Sequence, residues 1–184
     1  MARLADLLTA LRMVLAVLMP LAVWRGGPLA AALWIVAAAS DYCDGPLARR
    51  AGSATARGAV LDNVADVAFV LLGLGTAAAI GRVPWLVPGA ILLSVVDYAR
   101  ASFEGSRGMV APALARSRVG HAAGVVNYAC LGLVCAELAW PRALPPPVLP
   151  TAELATVAIN VAAVVVRAVG RTRRPSRIRG RRGA

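Results

Sequence analysis

Six apolar runs follow one another along this chain. Each is long enough to cross the roughly 30 Å hydrocarbon core of a bilayer as a helix of about 20 residues. A water-soluble domain has no use for that much apolar surface. With 59% of its 184 residues hydrophobic and a mean hydropathy of +0.70, the sequence reads as an all-α integral membrane protein of about six transmembrane helices. The runs lie near 4–24, from 29 into the region of Asp41, then 59–80, 85–103, 119–140 and 151–169. Glycine, proline and arginine punctuate them. Arg25-Gly26-Gly27-Pro28 breaks the first, a polar connector over 49–58 the second, and Gly81-Arg82-Val83-Pro84 the third. A polar loop over 104–118 follows the fourth, and the proline-rich stretch 141–150 is expected to be non-helical. The expected organisation is one six-helix transmembrane domain over 1–170 and a basic, disordered tail over 171–184 held near anionic headgroups. The N-terminal run, short of a convincing cleavage site, is read as a retained first helix.

The net charge of +11 comes from arginine alone, because the sequence contains no lysine. That excludes lysine Schiff-base chemistry. The arginines sit at the ends of apolar runs and in the tail, where membrane anchoring explains them without nucleic acid as a partner. If the spans alternate, only Arg25, Arg82 and Arg142 fall on one side. The remaining seventeen fall on the other, which is therefore cytoplasmic and holds both termini. The expected location is the cell membrane.

One stretch resists the apolar pattern. Between Asp41 and Asp66 the chain reads DYCDGPLARRAGSATARGAVLDNVAD, four carboxylates and three arginines flanked by apolar sequence. Charge in such surroundings is costly and functional by default. Asp41 and Asp44 are three apart and Asp62 and Asp66 four apart, so each pair projects from one helix face. Span direction places both pairs, with Thr9 and Arg12 of the first run, in the cytoplasmic part of the membrane, around a polar cavity open to the cytoplasm. Four facing carboxylates cannot all stay ionised without cations. Hard divalent ions such as Mg²⁺ suit them, and two metals about 4 Å apart would clamp a phosphoryl centre. Gly45 and Gly58 let a ligand approach the backbone. Arg49 offers a planar fork for phosphate oxygens.

Asp41, Asp44, Gly45, Ala48, Arg49, Gly58, Asp62 and Asp66 reproduce the pattern D-x2-D-G-x2-A-R-x8-G-x3-D-x3-D without a gap. In this the chain resembles the CDP-alcohol phosphotransferase family. The run Leu8-Thr9-Ala10-Leu11-Arg12 also looks like the L-T-x-x-R of that family's first helix. The resemblance implies transfer of a substituted phosphoryl group from a CDP-linked donor to an alcohol, with release of CMP. It implies two divalent cations, Mg²⁺ or Mn²⁺, on Asp41, Asp44, Asp62 and Asp66, with Asp66 also the general base. It implies nucleotide contacts at Gly45, Ala48 and Gly58, the diphosphate on Arg49, CDP-diacylglycerol as donor, and a homodimer. For the acceptor, Arg100, Arg107, Arg116 and Arg118 are candidate phosphate contacts, with Thr9 and Arg12 as further donor or acceptor contacts. Glycerol 3-phosphate is the leading acceptor, with inositol 1-phosphate, serine and phosphatidylglycerol as alternatives. A small cation- or proton-coupled transporter is the rival of another class, but no internal repeat supports it.

Other residues have plainer readings. Arg50 and Arg57 fit positive-inside anchoring. Asp97 and Arg100, three apart, fit an ion pair at the rim as well as a substrate contact. His121 fits an interfacial or packing role. Cys43, Cys130 and Cys135 fit small apolar fillers, Tyr98, Tyr128 and the tryptophans interface anchors, and Gly73 and Gly75 close helix packing.

Overall fold

The computed structural model describes residues 2–51, 56–105 and 118–172, with side chains described for 10–40, 58, 60–102 and 118–171. Those residues form six helices and no strand: α1 (Ala2–Arg25), α2 (Pro28–Ala51), α3 (Ala56–Ala79), α4 (Leu86–Gly105), α5 (Arg118–Ala139) and α6 (Val148–Thr172). The contacts between helices gather the starts of α1, α3 and α5 and the ends of α2, α4 and α6 at one end of the bundle. Contacts close the helices into a ring in the order α1, α2, α5, α6, α4, α3, with α3 also touching α5 across the middle. Neighbours α1 and α3 are parallel, as are α4 and α6, and each of those two pairs carries a charged cluster.

The turns follow from local chemistry. Gly26 and Gly27 take φ of +68° and +76°, a left-handed conformation that costs other residues energy. The Gly26 N–H donates to the Ala22 carbonyl at 3.0 Å, capping α1, and the Gly27 N–H donates to the Leu138 carbonyl at 3.1 Å, tying the turn to α5. Pro28 opens α2, and Pro88 and Pro150 lie in the first turns of α4 and α6, where an N–H would have no intrahelical partner anyway. The stretch 141–150, expected to be non-helical throughout, therefore becomes helical at Val148. At the other end α6 continues to Thr172, so Arg171 belongs to the helix and not to the tail. The connector over 49–58 is also shorter than its composition predicts. Helix α2 runs past Pro46 to Ala51, and α3 begins at Ala56.

Phe69, Met19, Leu74, Leu131, Ile91 and Val23 fill the centre, on α1, α3, α4 and α5. Gly73 fits close packing, because a Cβ there would lie 2.7 Å from Leu131 Cδ1. Gly75 does not, since no described atom comes within 4 Å of its Cβ position. Trp34 and Tyr128 also depart from the anchor role. Their rings pack 5.6 Å apart, Trp34 Nε1 donates to the Tyr128 carbonyl at 3.0 Å, and Phe69 stacks on Tyr128 at 5.7 Å. Trp24, Trp85 and Trp140 are exposed instead, all at the end opposite the charged clusters. Cys130 and Cys135 are buried and form no disulfide.

The outside is as apolar as the inside. Val17, Ile35, Leu61, Leu93, Val125, Leu154 and Val165 all face outward, a surface suited to lipid rather than water. Among the described residues, Val60–Ala79, Arg118–Ala139 and Val148–Arg171 are long and apolar enough to cross a membrane, and Pro28–Ser40 is a shorter apolar stretch.

Candidate active site

Asp62 and Asp66 lie two turns into α3, one helical turn apart and on the face that meets α1. Arg12 of α1 lies between them. Its Nη1 donates to Asp62 Oδ1 at 2.5 Å and to Asp66 Oδ1 at 2.9 Å. Burial is unequal across this triad, with the Arg12 side chain 1% exposed and the carboxylates 40% and 34% exposed. A guanidinium so deeply buried persists only when paired. Two carboxylates one turn apart also repel each other and gain from any cation placed between them. The guanidinium meets both needs. Arg12, expected as a substrate contact, is thus engaged with the acidic pair. The side chain of Thr9 lies outside the described residues.

The donor chemistry fits a hard divalent cation. Carboxylate oxygens are what Mg²⁺ and Mn²⁺ take, and two of them already converge on a single cationic atom. The other half of the expected set, Asp41 and Asp44, lies in the last turns of α2, with side chains outside the described residues. Among the described residues no group of three or more His, Cys, Asp or Glu gathers to hold a metal. Gly45, Ala48 and Arg49 share those turns of α2, and their side-chain positions also lie outside the described residues. Gly58 sits half-buried one turn before Asp62.

A second charged cluster joins α4 to α6. Asp97 Oδ2 accepts from Arg167 Nε at 2.6 Å and its Oδ1 accepts from Arg171 Nη2 at 2.6 Å. Arg167 Nη2 also donates to the Ser94 carbonyl at 2.9 Å and to Ser94 Oγ at 3.0 Å. This corrects the pairing of Asp97 with Arg100: the carboxylate turns to α6, and Arg100 stands exposed. Arg167 was read only as a charge for orientation and Arg171 as tail. The one signal in the sequence was their four-residue spacing, which puts both on one helix face. Arg118 is exposed at the first residue of α5, while Arg107 and Arg116 lie outside the described residues.

A third polar contact lies deeper. Asn160 Nδ2 of α6 donates to Asn127 Oδ1 of α5 at 2.6 Å and to the Thr156 carbonyl at 2.8 Å, with both asparagines buried. Interhelical amide bonds of this kind hold membrane helices together. Sequence reading passed over both residues, although an isolated asparagine in an apolar run is itself a signal.

A helical bundle with a lipid-compatible exterior and an acidic, cation-holding pair at one end defines the class: a membrane-type helical protein with a polar site among its helix ends. The chain belongs to the CDP-alcohol phosphatidyltransferase family, whose model matches residues 2–169. It is similar to proteins named "Probable phosphatidylglycerophosphate synthase" from two strains of Mycobacterium tuberculosis. Identity to each is 37% over 98 residues, covering 50% of this chain and 47% of the relative. The chain thus spans about half the length of the curated relatives it matches.

Proposed function

We propose that the protein transfers the phosphatidyl group of CDP-diacylglycerol to an alcohol and releases CMP. The observation that carries this reading is the convergence of Asp62 and Asp66, the last two positions of the family pattern, on one cationic position. In the reaction the acceptor oxygen bonds to the phosphorus that bears diacylglycerol. The bond from that phosphorus to the bridging oxygen breaks, and CMP departs with that oxygen. The hydroxyl proton passes to the Asp66 carboxylate as general base. Arg49 holds the diphosphate through its planar fork, and Gly45, Ala48 and Gly58 leave room for the cytidine nucleotide. Asp41, Asp44, Asp62 and Asp66 would hold two divalent cations, Mg²⁺ or Mn²⁺, which when bound neutralise charge and stabilise the attacking and leaving oxygens.

The site belongs on the cytoplasmic side of the cell membrane, with six spans, a polar cavity open inward, both termini inside, and a homodimer as the working unit. Arginine asymmetry between the two ends of the bundle supports that orientation. The six helices form the catalytic domain, and the basic tail follows α6, beyond Thr172. Glycerol 3-phosphate is the leading acceptor, a choice supported by the name of the mycobacterial relatives. Arg100, Arg107, Arg116 and Arg118 are the candidates for its phosphate. The test is purified protein with Mn²⁺, CDP-diacylglycerol and a panel of glycerol 3-phosphate, inositol 1-phosphate, serine and phosphatidylglycerol, scored for CMP. Release dependent on glycerol 3-phosphate is expected. Release with only another alcohol overturns the acceptor, and no release with any alcohol overturns the reaction.

A further inference from the structure

We propose that Arg12 is a positioning residue that stands in for a cation on Asp62 and Asp66, so that divalent metal binds there by exchange against its guanidinium. The proposal rests on the reading that these two aspartates are metal ligands. It goes further by assigning a role to a residue on another helix.

Nη1 of Arg12 lies 2.5 Å from Asp62 Oδ1 and 2.9 Å from Asp66 Oδ1. A divalent cation held by these two oxygens would need the space that Nη1 fills, because a metal–oxygen contact is shorter than a hydrogen bond, so the two would compete. The charges agree with an exchange. Without metal, one buried guanidinium holds two carboxylates that would otherwise repel each other. A divalent ion supplies twice the charge and displaces it. Accessibility agrees as well. Arg12 is 1% exposed, while both carboxylates are more than one-third exposed. A cation arriving from solvent thus meets oxygens already converging on one position.

This arrangement makes a linked prediction that simple packing does not. Removing the guanidinium should weaken the metal-free protein and at the same time tighten metal binding. The experiment uses the full chain in detergent, with Mn²⁺ affinity read from free Mn²⁺ by electron paramagnetic resonance and Tm measured in EDTA and in Mn²⁺. Arg12→Gln should lower Tm in EDTA by about 4–8 °C. It should also bind Mn²⁺ about tenfold more tightly than wild type, the scale of one charge-assisted hydrogen bond. Arg171→Gln removes the same charge from the same end of the bundle and should change Mn²⁺ affinity less than about twofold, as screened charges do. If Arg12→Gln does not fold, Arg12→Lys answers the question. Its ammonium lacks the planar fork and bridges the pair less well, so Mn²⁺ should bind about threefold more tightly. Equal or weaker Mn²⁺ binding in the Arg12 variants, with wild type binding normally, overturns the exchange alone. Absence of Mn²⁺ binding in wild type and variants alike overturns the metal reading and the exchange with it.

Discussion

Two ionic clusters sit at the same end of the bundle, and they are mirror images in charge. On α1 and α3 one guanidinium bonds two carboxylates. On α4 and α6 one carboxylate serves two guanidiniums, and the excess is positive. Burial differs as well. In the first cluster the cation is hidden and the anions are accessible. In the second, Asp97 and Arg167 are both nearly closed off, Ser94 accepts two further hydrogen bonds from Arg167 Nη2, and Arg171 is open. Carboxylates more than one-third exposed can be reached by a ligand. A closed carboxylate with both oxygens bonded is a clamp between two parallel helices. Similar residues in similar numbers thus give an accessible cluster in one place and a fastener in the other.

The comparison is sharpest where one cluster is damaged and the other left intact. Asp66→Asn should lower the rate of CMP release by at least about 10³-fold, because it removes the proposed metal ligand and the proposed base together. Its effect on Tm in EDTA should be small beside that loss, and a rate near wild type would remove Asp66 from the chemistry. Asp97→Asn should do the reverse. It leaves Arg167 nearly buried with no carboxylate, a change that costs about 3–5 kcal/mol of stability where a closed pair is broken. Urea or thermal unfolding should register it, while Mn²⁺ affinity stays within about twofold of wild type, as expected for a distant, screened charge. A large shift in Mn²⁺ affinity would mean that the clamp and the site are one unit.

Smaller effects test the same division. Gly132→Ala would put a Cβ 2.6 Å from the Trp34 ring, far from both clusters. It should cost about 1–3 kcal/mol by overpacking and leave the stabilisation conferred by Mn²⁺ unchanged. Arg171→Gln, at the exposed edge of the clamp, should cost no more than about 1 kcal/mol. A loss as great as that of Asp97→Asn would show that the outer arginine, and not Arg167, carries the clamp.

Much of this was legible in the sequence, because apolar length marks helices and spacing marks faces. The Asp62/Asp66 pair was identifiable from spacing alone, and the family from eight positions, while the Asp41 and Asp44 side chains lie outside the described residues. Helix ends were less legible. Pro150 reads as a breaker, yet in the first turn of α6 it gives up no hydrogen bond. Partners across helices were the least legible. Nothing local to Asp97 distinguishes Arg100, one turn away, from Arg167 and Arg171, seventy and more residues on. Only the packing of α4 beside α6 decides between them. Likewise Arg12 stood out as a charge in an apolar run, but its engagement with α3 depends on how α1 lies.

The most direct measurement is CMP release from CDP-diacylglycerol and glycerol 3-phosphate by the purified protein, first in EDTA and then after Mn²⁺ is restored. Release that stops in EDTA, returns with Mn²⁺ and requires the alcohol is the expected result. Release that proceeds equally in EDTA would contradict the assignment of the acidic end as a metal-dependent phosphatidyl-transfer site.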